Sequence, residues 1–184
     1  MIQPVVIYDS KYGSTKRYAQ WIAEALSCPV FAREKFNPKD FPRYQAVIYG
    51  GGLYAGNIRG IRLLSKNAKL LQGKPVILFT CGLSDPENEG TSSAIRQSLS
   101  RSLPPALLSQ TRLFPLRGSI DYARLTPLHR AMMAAFHKMV KNNIKKSPAS
   151  LTEEDRGILE TYGKSVDFVS RESLKPLLSY CAAL

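Results

Sequence analysis

The sequence predicts an α/β domain: a doubly wound, five-stranded parallel sheet with helices on both faces and an inserted basic helix after the fifth strand. Three observations carry this. Short β-branched runs alternate with longer helical patterns over the first two thirds of the chain. The runs are apolar at consecutive positions, as in PVVIYD at Pro4–Asp9, which suits strands buried on both faces. After the fifth run the alternation stops, and two helical segments remain where the sheet needs one.

Taken in order, Pro4–Asp9 is the first strand. Ser10 to Ser14 is a loop, and a helix spans about Thr15 to Ser27, with Ala19, Ile22, Ala23 and Leu26 as its apolar stripe and Pro29 as its stop. Val30 to Arg33 is a short second strand. Ala46 to Gly50 is the third and runs into three consecutive glycines. A helix over about Ile58 to Leu71 ends at Gly73. Pro75 to Thr80 is the fourth strand, Thr91 to Leu103 a helix, and Arg112 to Ile120 the fifth strand. Leu125 to about Lys141 is a further helix, followed by a polar, basic linker from Asn142 to Ser150 that contains Pro148. Thr152 begins a last capped helix, with Asp155 placed to complete the cap and Ile158, Tyr162, Val166 and Val169 as its stripe. Residues 1–184 are expected to form one domain. About 122–150 form the inserted amphipathic helix and linker, and about 152–184 the closing helix and tail.

Composition narrows the partners. The chain has 184 residues, 44% hydrophobic and 22% charged, enough for one sizeable core. Lys and Arg number 26 against 14 acids, a formal charge of +12, which favours anionic ligands, acidic proteins, nucleic acid or an anionic membrane surface. Three scattered cysteines without a CxxC pair, and two histidines, argue against a disulfide scaffold and against a metal site. The N-terminal residues lack a basic-then-apolar leader pattern, and no apolar run approaches the roughly 20 residues of a spanning helix. The expected location is cytoplasmic, with peripheral contact at the inner face of the membrane left open.

Ligands of an open α/β sheet bind beyond the carboxyl ends of its strands. Three loops there carry distinctive chemistry. Ser10-Lys11-Tyr12-Gly13-Ser14-Thr15 brings hydroxyls and backbone N–H groups to a helix N-terminus, where the dipole favours a phosphate. A simple helix cap needs one hydroxyl, not three and a glycine. The second loop, Gly50-Gly51-Gly52-Leu53-Tyr54-Ala55-Gly56, has the spacing of a dinucleotide fingerprint. It follows the third strand rather than the first, and no acid lies in Ala68 to Gln72. The third is Thr80-Cys81-Gly82-Leu83-Ser84-Asp85. Cys81 reads as a small core residue rather than a redox thiol.

The first loop resembles the phosphate loop of flavodoxins, [ST]-x-[TY]-G-x-T, with Ser10, Tyr12, Gly13 and Thr15 in its places. Cys81-Gly82-Leu83-Ser84 is similar to the Cys-Gly-Asp-Ser that flavodoxins often carry after the fourth strand, with Leu83 in place of the acid and no aromatic following. The resemblance covers roughly Val5 to Asp121. It implies a flavodoxin-like fold and FMN as cofactor, its phosphate at Ser10–Thr15. Gly51, Gly52, Leu53, Tyr54, Ala55 and Gly56 would then lie along the flavin, with Leu53 or Tyr54 on one ring face, and Thr80, Cys81, Gly82 and Leu83 at its polar edge.

Electron-carrier flavodoxins are acidic, and this chain is basic. A positive field favours the anionic reduced flavin and raises its reduction potential, within a Debye length of about 10 Å. From Tyr122 to Lys146 the chain has Arg124, Arg130, Lys138, Lys141, Lys145 and Lys146 with no acid, together with His129, His137 and three methionines. The segment Gly118–Tyr122 with Arg124 and the Met-rich helix is similar to bacterial menaquinone-dependent protoporphyrinogen IX oxidases. That resemblance implies dehydrogenation of a reduced substrate at the flavin N5, a quinone as acceptor, and a peripheral place on the membrane. It names no side chain as acid or base. The helix itself is expected to be dispensable for the core fold and for FMN binding. Two further readings stand beside this one: an electron carrier docking to an acidic redox protein, and a non-enzymatic module binding anionic lipid or nucleic acid, the latter being the least expected partner.

Overall fold

The computed structural model describes residues 3–54, 56–146 and 151–184. Strands β1 (Pro4–Asp9), β2 (Val30–Ala32), β3 (Ala46–Tyr54), β5 (Val76–Gly82) and β6 (Thr111–Arg117) form a parallel sheet in the order β2-β1-β3-β5-β6. The two-residue β4 (Asn57–Ile58) folds back antiparallel on β3. Side chains alternate between the two faces, as a two-residue period requires. Val5, Ile7, Val47, Tyr49, Val76 and Leu78 pack on one side against α3 (Glu89–Ser102), α4 (Pro105–Ser109) and Leu64 of α2 (Arg62–Lys66). Val6, Ile48, Ile77 and Phe79 pack on the other against α1 (Ser14–Leu26) and α7 (Lys175–Ala182). This is the doubly wound sheet that the sequence predicts.

The differences have local causes. The helix expected over Ile58 to Leu71 is broken. Ile58 pairs with Leu53 in the β3–β4 hairpin, and Gly60 has φ +69°, leaving a five-residue α2 and a 3₁₀ turn at Ala68–Leu71. The fifth strand does not run to Ile120. It ends at Arg117, Gly118 N–H donates to the Gly82 carbonyl at 2.6 Å, and Ser119–Asp121 becomes β7, paired antiparallel with β8 (Ser165–Asp167).

The largest correction concerns closure of the sheet. The helix starting at Thr152 has the expected capping box with Asp155, but it is α6 (Glu153–Thr161) and packs against α3 and α5 (Pro127–Lys146). Glycine at 163, with φ +74°, follows its end, and Val166 belongs to β8. The helix that covers the sheet beside α1 is α7, which presents the buried Leu177 and Cys181 together with Leu174 just before it. Inserted structure therefore reaches from β7 through α5 and α6 to β8. The expected linker begins later than predicted, since residues 142–146 continue α5; Pro148, with the rest of 147–150, lies outside the described residues.

Candidate functional site

The loops leaving β1, β3 and β5 meet around one cavity of about 650 Å³. Its polar end is the start of α1. Gly13 precedes that helix with φ +106°, a conformation open to glycine, and no side chain caps the first turn, so its N–H groups are left for a ligand. Ser10 Oγ accepts the Gly13 N–H at 3.1 Å, which leaves the serine hydroxyl hydrogen for another acceptor. Ser14 Oγ accepts the Ser119 N–H at 2.9 Å and shares a hydrogen bond with Ser119 Oγ at 2.7 Å, tying the loop to β7. Thr15 is buried here, and burial pushes the Cys81 thiol pKa up to about 12.

The middle of the cavity is a close-fitting cradle. A Cβ on Gly52 would stand 2.8 Å from the Tyr54 ring, and one on Gly82 would stand 3.0 Å from Leu53. Burial raises the Tyr54 phenol to about 12, so it stays neutral at physiological pH. Arg117 pins the third loop: its guanidinium donates to the Leu83 carbonyl at 3.0 and 3.2 Å and lies 3.6 Å from the Phe168 ring centroid. Further walls include Thr91 and Ile95 of α3, His129, Met132, Met133 and Phe136 of α5, and Ile158 of α6. Thr91 Oγ1 is buried there without a hydrogen-bond partner.

Among the described residues, no Lys, Arg, Asp or Glu lines this cavity. Charge gathers just outside it. Asp9, 5% exposed at the end of β1, accepts from Arg33 Nε at 2.6 Å and from Arg59 Nε. One carboxylate between two guanidiniums leaves that corner net positive. The hydrogen bond to Asp9 raises the Arg33 pKa. Gly60 is required here, because a Cβ would collide with Asp9, Arg33 and the Tyr49 hydroxyl. His129 of α5 closes over the same corner, 2.6 Å from the Tyr12 hydroxyl and 3.2 Å from Lys11 Nζ, with its ring 5.8 Å from that of Tyr54. Its pKa is lowered by desolvation and then by Lys11 and Arg59.

Of the residues predicted for the site, Ser10, Tyr12, Ser14, Thr15, Gly52, Leu53, Tyr54, Gly56, Cys81, Gly82 and Leu83 line the cavity together. Four described ones do not. Lys11 reaches past the rim to His129, and Gly13 acts through its backbone. Gly51 lies within β3, where a Cβ would strike Ile58 and the Arg59 carbonyl, so its place serves the hairpin. Thr80 is fully buried in β5 with its hydroxyl unpartnered. Ala55 lies outside the described residues. Sequence reasoning missed Ser119, Thr91 and the inward face of α5. The helix expected to be dispensable for FMN binding supplies a wall of the cavity. The methionines and His129 were its visible signal, but not the direction in which they point. Among the described residues no group of three His, Cys, Asp or Glu is placed to hold a metal, and no helix is long and apolar enough to cross a membrane.

A parallel sheet of this order, with the first helix N-terminus and two further loops around one cavity, defines the flavodoxin class of α/β domain. A family model for the flavodoxin domain matches residues 5–147, and the chain belongs to that family. The chain is similar to a flavodoxin from the domain Archaea, with 16% identity over 63% of this chain and 83% of that one and a TM-score of 0.45. It is similar to a flavoprotein in complex with FMN from Lactobacillus acidophilus NCFM, at 13% identity over 64% and 93% and a TM-score of 0.45. It is also similar to the Trp repressor binding protein from Bacillus subtilis, at 11% identity over 63% and 85% and a TM-score of 0.49. No curated protein matches the chain.

Proposed function

We propose that the chain is an FMN-dependent oxidoreductase. The observation that carries this is the cavity at the carboxyl ends of β1, β3 and β5, with an uncapped helix N-terminus at one end and a glycine-lined cradle beside it. The residues suit the group. The first turn of α1, Gly13 and the Ser10 hydroxyl would take its phosphate. Tyr54 and Leu53 would lie along the ring, and the backbone of Cys81–Leu83 at its polar edge. FMN supplies two-electron redox chemistry when bound. The protein orients it, keeps charged side chains off the cavity wall, and offers Thr91 Oγ1 as a spare hydrogen-bonding group.

The finer reading is oxidation of a porphyrinogen-type substrate with a quinone as acceptor. Its support is the apolar wall of Met132, Met133 and Phe136, which suits a flat, largely apolar molecule, with cations at the rim for substrate carboxylates. The outer face of α5 carries exposed Leu128, Arg130, Lys138, Met139 and Lys141, a composition suited to an anionic membrane surface. An electron carrier that docks to an acidic protein would use the same basic face.

The visible spectrum of the purified protein and mass spectrometry of the released cofactor test the cofactor; a colourless protein that takes up no FMN overturns the proposal. Turnover of a porphyrinogen with a quinone acceptor separates the enzyme from the carrier.

A further inference from the structure

Tyr12 and His129 are separated by 117 positions in sequence and joined by the 2.6 Å contact at the cavity rim. The chemistry of the pair is fixed by a third group. Lys11 Nζ, a donor only, stands 3.2 Å from His129 Nε2, so Nε2 accepts and the ring hydrogen of the neutral imidazole resides on Nδ1. Nδ1 then donates to the Tyr12 oxygen, and the phenol's own hydrogen is left to point elsewhere. Tyr12 lines the cavity next to Ser10 and the start of α1. We propose that His129 is a positioning residue that orients the Tyr12 hydroxyl as a hydrogen-bond donor into the cavity, toward the oxygen of a bound anion. The inserted helix α5 thereby acts on the ligand through the first loop as well as through its own wall of the cavity. This rests on the reading that FMN is the occupant.

The Lys11 contact depends on a neutral imidazole. Lys11 and Tyr12 face His129 from the first loop, Tyr54 from β3 and Arg59 from beyond β4; Arg130 follows it on α5. None of these is an acid, and the buried Asp9 is already engaged by two arginines. A proton on Nε2 would place two cationic donors face to face, and the contact would part. The lowered pKa of His129 has the matching sign: the interaction is complete above the ordinary histidine value of 6.5 and is lost as pH falls through the depressed one. The Lys11 contact is therefore made at neutral pH and lost in acid, whereas Nδ1–H is a donor to Tyr12 in both protonation states.

The test uses the full chain. In ¹⁵N NMR at pH 7.5, without added FMN, His129 is expected as the neutral Nδ1–H tautomer; an Nε2–H tautomer overturns the proposal. FMN is then titrated by fluorescence into the parent, Tyr12→Phe, His129→Leu, His129→Asn and the Tyr12→Phe/His129→Leu double variant. Both Tyr12→Phe and His129→Leu should weaken binding by about tenfold, the loss of one hydrogen bond to a charged group. The double variant should be no weaker than either. His129→Asn, which offers an amide N–H near the place of Nδ1, should bind within a few-fold of the parent. Additive losses, or no loss in Tyr12→Phe, overturn the coupling while leaving the cofactor assignment intact. Failure of the parent to bind FMN overturns the cofactor assignment instead, and the NMR result still decides the tautomer.

Discussion

Leu177→Ala tests which helix closes the sheet. Leu177 is fully buried, in the same cluster as Ile22, Ile48 and Phe79. A leucine truncated to alanine in such a place costs about 2–5 kcal/mol, because the transfer free energy is lost and a cavity remains. For a chain of this size each kcal/mol lowers Tm by about 2–4 °C, so a loss of about 3 kcal/mol predicts a fall of about 6–12 °C. The control is Leu128→Ala on α5, where the side chain is 76% exposed and the change should stay within about 0.5 kcal/mol. Thermal unfolding followed by circular dichroism reads both. The comparison is made on cofactor-free protein, since a ligand that binds only the folded state adds stability by mass action. If Leu177→Ala melts with Leu128→Ala, α7 does not cover the sheet and the assignment of the inserted segment falls with it.

Ser10→Ala removes a hydroxyl free to donate at the helix N-terminus and should weaken FMN binding by about tenfold in a fluorescence titration, with little change in Tm. Burial pushes Cys181 up to about 11 and Cys81 to about 12, so a maleimide at pH 7 should label these two only after urea unfolding, with the half-buried Cys28 as the native-state reference; rapid native labelling of Cys81 or Cys181 seen by mass spectrometry would contradict their burial. Neutralising Arg130, Lys138 and Lys141 together should lower co-sedimentation with anionic vesicles by about 100-fold in partition coefficient, at about 1 kcal/mol per cation. Equal binding by the triple variant would dismiss the membrane reading of α5.

The strands and the first loop were legible because their signals are local. PVVIYD is apolar on both faces, and Gly13 with its neighbouring hydroxyls marks a helix entrance open to an anion, all within a dozen residues. The closing helix was not legible for the opposite reason. Ile158, Tyr162, Val166 and Val169 after the Thr152 cap read as a helical stripe, while Leu174, Leu177 and Cys181 fell in the stretch taken as a tail. A stripe states that a face is buried, not what buries it. The short α7 wins the sheet because Leu174 precedes it and the chain returns through β8, a three-residue strand too brief to announce itself. Gly60 broke an expected helix from within, since its positive φ answers to Asp9, Arg33 and Tyr49, which sequence spacing does not bring together. The Tyr12–His129 contact is the same kind of long-range fact.

The distribution of charge gives the inserted structure its meaning. A chain of net charge +12 keeps Lys, Arg, Asp and Glu off the cavity wall among its described residues, while Lys11, Arg33 and Arg59 gather at the rim and further cations lie along the outer face of α5. In a wall of low polarity, each hydrogen bond from a backbone N–H, Ser10 or Tyr12 is stronger than it would be in water, and an unpartnered group such as Thr91 Oγ1 is correspondingly costly until a ligand engages it. Met132, Met133, Phe136 and Ile158, of α5 and α6, make part of that wall, beside Leu53, Ile95 and Leu116. On the proposed reading, the loops of the parallel sheet would hold the anion end of the ligand. The insertion would add apolar wall and, through His129, a hold on the first loop. On this division, exchanging α5 side chains on the inward face alters which apolar molecule enters, whereas changes at Ser10 or Gly13 alter whether the phosphate-bearing ligand is held at all.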